Sequence, residues 1–182
     1  MSDMRPIFYA RPGQDLVDHL RNAAEGAADF AKPFGGDNEA FLAGRIHDLG
    51  KFRLEFQEFL FGERQGGVDT HHAVYGAALA FDRNWSATAF AVAGHHAGLH
   101  DRGRLQALVD DPRYHAMSCL PKLVSQIETV FGPLPSSPEP PAFLRGEDPL
   151  ALEFYTRMLF SCLVDADWLD AERHETGLER RT

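Results

Sequence analysis

The 182-residue chain is poor in cysteine, in basic charge and in long apolar runs, and each shortage removes a class of protein. Cys119 and Cys162 are the only cysteines, and they lie in apolar helical patterns without CxxC spacing. That argues against a disulfide framework and for a reducing compartment, with both thiols expected to be buried. The N-terminal Met1-Ser-Asp-Met-Arg-Pro segment has no apolar h-region, and no run approaches the roughly 18 apolar residues of a membrane span. A soluble cytoplasmic protein with no membrane partner is expected. Lys and Arg total 18 against 27 Asp and Glu, a formal charge of −9, which counts against gripping phosphates with basic side chains alone. Divalent cations held by carboxylates and imidazoles reverse such a field locally, so the acidic balance decides little. Sustained period-two alternation and a hairpin turn signal are also missing, and with no 20 to 50 residue repeat and no GxxxxGK[ST] loop the chain carries no obvious ATP-driven motor of its own.

What is present is helical. The length fits a single domain over 1–182, which buries on the order of 70% of its unfolded surface and needs no staples. Leu16, Leu20, Ala23, Ala27 and Phe30 recur at three- and four-residue intervals and predict a helix over 14–31, with His19 beside its apolar face. Asp37 or Asn38 caps a second helix burying Phe41, Leu42, Ile46 and Leu49, with His47 and Asp48 in its last turn and Gly50 as its stop. A short helix over 53–61 follows, then helices over 71–82 and 86–96, a loop over 97–104 and a helix over 113–131 that Pro121 kinks or splits. A Pro-rich connector spans 132–149, and Pro149 opens a last helix to about Ala171. The expected fold class is all-α.

Nine histidines and fifteen aspartates in this length supply by chance roughly 0.7 His-Asp and 0.4 His-His pairs, so dipeptides prove little. His100-Asp101, in a polar loop beside Arg102 and Arg104, reads as a solvated decoy. Order and setting carry more: a lone His19 on the first helix, His47-Asp48 with Gly50-Lys51, His71-His72 before Gly76-Ala77, His95-His96 at a helix end, and Asp165 or Asp167 in the last helix. Helices lock ligand rotamers by packing, and imidazole with carboxylate suits Mn, Fe, Co, Ni or Zn, with Mg possible, rather than an all-oxygen calcium site. Phe52, Phe56, Phe59 and Phe61 read as core rather than a base-stacking platform, and Asp110-Asp111 as turn chemistry.

The segments DHLRNAAEGAADFA, LAGRIHDLGKFRLEFQEFL, HHAVYGAALA, VAGHHAGL and SCLVDADWLDAE, in this order from His19 to Glu172, resemble the HD nuclease domain of the CRISPR-associated helicase-nuclease of type I systems. HDLGK alone marks the wider HD phosphohydrolase superfamily. The resemblance implies an HD-type helical bundle with two divalent transition-metal ions, one on His19, His47, Asp48 and Asp167, the other on His72, His95 and His96, with Asp48 bridging. His47 and Asp48 would carry the chemistry and Lys51 would hold the scissile phosphate. His72 rather than His71 fits the family spacing to Gly76-Ala77, and Asp167 rather than Asp165 fits Ala-Asp-Trp. Asp165 and Asp167, two apart on a helix, cannot face one site together. The implied function is metal-dependent phosphodiester hydrolysis of DNA, preferably single-stranded, in CRISPR type I interference, as a stand-alone subunit or excised domain. The implied partners are a superfamily 2 helicase and a guide-RNA surveillance complex. Two other functions compete: an HD-type nucleotide or cyclic-dinucleotide phosphohydrolase, although HHAVYGAALA lacks the GYP-type element of the cyclic-dinucleotide branch, and a non-catalytic metal-stabilised docking module.

Overall fold

The computed structural model describes residues 7–145 and 148–177, so the reading of the Met1 to Pro6 segment, and Gly146 and Glu147 of the connector, lie outside the described residues. The fold is all-α: α1 (Leu16–Ala31), α2 (Asp37–Ile46), α3 (Leu54–Leu60), α4 (Ala73–Asp82), α5 (Ser86–Gly94), α6 (Arg102–Val109), α7 (Ala116–Phe131) and α8 (Pro149–Thr176). A small antiparallel hairpin, β1 (Tyr9–Arg11) and β2 (Gln14–Asp15), precedes them. It differs from the expectation of no hairpin because strands of three and two residues are too short to show alternation. None of the described helices is long and apolar enough to cross a membrane.

Asp15 caps α1 by accepting from the Val17 and Asp18 backbone N–H groups, satisfying donors the first turn leaves unpaired. Leu16, Leu20, Ala23 and Ala27 are buried as expected, but Phe30 is turned outward while Ala24 and Ala31 go inside. Small side chains fill the face on which α2 and α8 pack. The long helix α8 runs beside α1 and α5, while α4 packs on α5 and α7. Leu20, Ile46, Leu49, Tyr75, Trp85, Ile127, Leu159 and Leu163 fill the space between. Across it the buried Glu39 carboxyl of α2 accepts from Thr88 Oγ1 of α5 and Tyr155 Oη of α8, each at 2.8 Å, joining three helices by one satisfied polar group.

Several local expectations change. Helix α2 is capped by Gly36, with Asp37 already inside it, and Phe41 is half-buried. It ends at Ile46 with His47 as the cap, and Gly50 sits inside the 3₁₀ turn Leu49–Phe52 rather than terminating α2. Glycine is required there by space, since a Cβ would lie 2.5 Å from the His72 carbonyl oxygen. Pro121 sits within one continuous α7. Arg102 and Arg104 belong to the first turn of α6, whose N-cap is Asp101, accepting from the Arg104 N–H; the pair His100-Asp101 is helix-start chemistry. Asp111 accepts from the Arg113 backbone, the turn expected there. Phe52 and Phe56 are core, but Phe59 and Phe61 are exposed, and Cys119 is only half-buried whereas Cys162 is buried. Pro149 is the first residue of α8, after the Asp148 cap.

Candidate metal centre

The candidate residues converge because helix ends meet. His47 caps the C-terminus of α2 and His95 that of α5, both carrying partial negative charge, while His72 caps the N-terminus of α4. His19 reaches in from the first turn of α1 and Asp167 from α8, and Asp48 follows His47 into the 3₁₀ turn.

The buried histidines share one arrangement. His47 Nδ1 lies 2.8 Å from the Gly44 carbonyl oxygen and His95 Nδ1 2.7 Å from that of Val92. A carbonyl only accepts, so each Nδ1 donates, and in the neutral ring Nε2 carries a bare lone pair. His19 Nδ1 lies 2.7 Å from Asp170 Oδ2. The Nε2 atoms of His19, His47 and His95 and both Asp48 oxygens are buried without a well-directed hydrogen bond. Buried polar atoms rarely stay so, and a cation is one partner that would satisfy them.

Asp48 stands between two groups. Its Oδ2 faces His19 Nε2 at 3.2 Å, His47 Nε2 at 3.4 Å and Lys51 Nζ at 2.6 Å. Its Oδ1 faces His72 Nε2 at 3.2 Å and His95 Nε2 at 3.6 Å. His72 Nε2 is in turn 2.8 Å from His96 Nε2. Asp167 Oδ1 lies 3.4 Å from His19 Nε2 and 3.8 Å from His47 Nε2. The groups Asp48, His72, His95, His96; His19, His47, Asp48; and His47, His95, Asp167 each bring their ligand atoms within 4.8 Å of one another and could hold a metal ion.

Electrostatics fit that use. Burial disfavours the Asp48 carboxylate, but Lys51, then His47 and His72, hold it well below the ordinary carboxylate range. Burial likewise opposes charge on His19, yet Asp170 first, then Asp48 and Asp167, push its pKa up to about 9. These carboxylates therefore favour positive charge at this position. His72 is lowered by burial, with Lys51 and His95 adding to the effect against the pull of Asp48, and His96 is lowered to about 4 by desolvation, His95 and His72. Both rings are neutral at pH 7, the form that coordinates metal.

Two ambiguities of the sequence have a geometric answer. His71 is exposed and turned away, its Nδ1 2.9 Å from Tyr114 Oη, whereas His72 faces Asp48. Asp165 is exposed and Asp167 buried. Lys51 differs from expectation: only 6% exposed and paired with Asp48, it has little surface to offer a phosphate.

Asp170 was not among the residues expected at the centre. Its Oδ2 accepts from His19 Nδ1 and Gln14 Nε2, and its Oδ1 from Asn22 Nδ2, all at 2.7 Å. The spacing of Asp167 and Asp170, one turn apart on one face of α8, was the available signal. An Asp170→Asn change puts an NH₂ against one of these donors and loosens His19. We expect metal affinity to fall about ten- to a hundredfold, measured by chelator competition; an unchanged affinity would make Asp170 merely a packing residue.

Fold and site together define an all-α protein with a buried His/Asp centre that could hold a metal ion. Comparison with known protein families gives no match, and neither does comparison with curated proteins.

Proposed function

We propose that this protein is a metal-dependent phosphodiesterase of the HD type that hydrolyses DNA, preferably single-stranded. The context its motifs resemble is CRISPR type I interference, in the cytoplasm, beside a superfamily 2 helicase and a guide-RNA surveillance complex. The observation that carries the reading is the set of buried imidazoles whose Nδ1 atoms are tied down and whose unpartnered Nε2 atoms surround Asp48. His19, His47, Asp48 and Asp167 would hold one divalent ion, and His72, His95 and His96 a second, with Asp48 shared. When bound, such a pair polarises the phosphodiester and supplies hydroxide near neutral pH.

The chain's own part is positioning. Asp170 orients His19, the Gly44 and Val92 carbonyls orient His47 and His95, and Lys51 keeps Asp48 ionised by its charge rather than by touching substrate. The buried floor excludes water from these groups, which strengthens each interaction.

Titration with Mn, Co, Ni or Zn to a hundredfold above the dissociation constant is expected to stabilise the fold by about 2.7 kcal/mol. At this chain length that corresponds to a rise in Tm of roughly 5–11 °C. The loaded protein should degrade linear single-stranded DNA and leave dNTPs and cyclic dinucleotides intact. Stabilisation without turnover of any phosphodiester would sink the nuclease reading and leave a metal-stabilised docking module.

A further inference from the structure

The hairpin before α1 is tied to the centre more firmly than so short an element requires. Gln14 Nε2 donates to Asp170 Oδ2 at 2.7 Å. Gln57 pairs with both the N–H and the carbonyl of Tyr9 at 3.0 Å, and also donates to the Lys51 carbonyl at 2.7 Å. The Leu16 N–H donates to the Phe8 carbonyl at 2.8 Å, and Ala10 is buried. These anchors fix the strand that carries Arg11. Its Nη2 stands 3.8 Å from Asp167 Oδ1, beyond hydrogen-bond length, and its side chain is 22% exposed. Lys51, by contrast, is engaged with Asp48 and stacked over the Phe56 ring. A guanidinium carried on an anchored strand beside an acidic centre is suited to an anion that reaches the same centre, because its fork matches two phosphate oxygens.

We infer that Arg11 is a phosphate-binding residue of this centre, gripping non-bridging oxygens of a nucleic-acid strand. The inference rests on the proposed function. Once Asp167 is engaged by a cation, the guanidinium is released to the substrate, and the hairpin supplies the positive charge that the composition as a whole lacks.

The test is binding of a fluorescent, nuclease-resistant phosphorothioate oligothymidine to metal-loaded protein, followed by anisotropy over a salt series. For Arg11→Ala the dissociation constant should rise about ten- to a hundredfold, and the slope against log salt should become shallower by about 0.7. The metal-induced rise in Tm should match that of the unchanged protein. With a cleavable strand, KM should rise while kcat changes little. Arg11→Lys should restore the slope but not the full affinity. Unchanged oligonucleotide binding with altered metal affinity would overturn the inference and make Arg11 a neutraliser of Asp167. Arg11-dependent binding without cleavage would sustain the inference while removing the nuclease reading; cleavage indifferent to Arg11 would do the reverse.

Discussion

An Asp48→Ala variant should lose most of its metal-induced stabilisation and, if the chain is the nuclease proposed, lose cleavage by about a thousandfold or more. Asp48 is common to two of the three candidate groups, offering Oδ2 to His19 and His47 and Oδ1 to His72 and His95. Removing it therefore strips an anionic ligand from both halves at once. The several kcal/mol that a Lewis-acidic ion contributes to a transition state correspond to about a thousandfold or more in rate. The metal-free variant is not expected to be more stable, although its buried unpaired oxygens are gone, because Lys51 is left buried without its partner. A control is built into the same chain: Asp165 is exposed two residues from Asp167, and Asp165→Ala should keep both metal response and activity. Equal losses in the two variants would mean that the centre lies elsewhere. Calorimetric metal titration read beside cleavage of a single-stranded oligonucleotide decides it.

The second large effect is structural. Gly76→Ala should destabilise the fold by about 3 kcal/mol or more, the upper range for overpacking a close contact, which lowers Tm by roughly 6–12 °C at this length. A Cβ on Gly76 would overlap the Ile46 carbonyl oxygen and come to 3.0 Å from both the Ile46 carbonyl carbon and Val92 Cγ1. The obstacle is backbone, so α4 itself must move away from α2, and Ile46 is the residue immediately before His47 and Asp48. Metal affinity should fall with stability. Gly67→Ala is the matched control: its backbone is extended, with φ of 172°, and a Cβ there meets nothing within 4 Å, so its effect should stay within about 0.5 kcal/mol. Thermal melts of the two variants side by side test the contrast; a Gly76→Ala protein melting with the unchanged chain would refute the close approach of α4 and α2.

Much of the fold was legible because helical periodicity is a local signal. The apolar spacing of α1 and the proline that opens α8 needed no tertiary information. The errors fall where local signals compete or are too short. Gly50 resembled a helix stop, but its lack of a side chain serves the approach of His72 and Tyr75. Phe59 and Phe61 continued an aromatic spacing whose burial ends at Phe56. Arg102 and Arg104 looked like loop because their helix is eight residues long.

For the centre, the sequence by itself determined which residue types recur and in what order along the helices, and the family resemblance carried by that order nominated His19, His47, Asp48, His72, His95, His96 and Asp167. Only the tertiary structure decided that three helix ends meet at Asp48, that His71 turns to Tyr114, that Asp170 stands behind His19, and that a hairpin brings Arg11 to the rim. The physical reason is that periodicity specifies which face of an element is apolar. The direction of a single Nε2 lone pair depends instead on what holds the opposite ring nitrogen. For His19 that partner is Asp170, 151 residues away in the chain, and no local pattern encodes it.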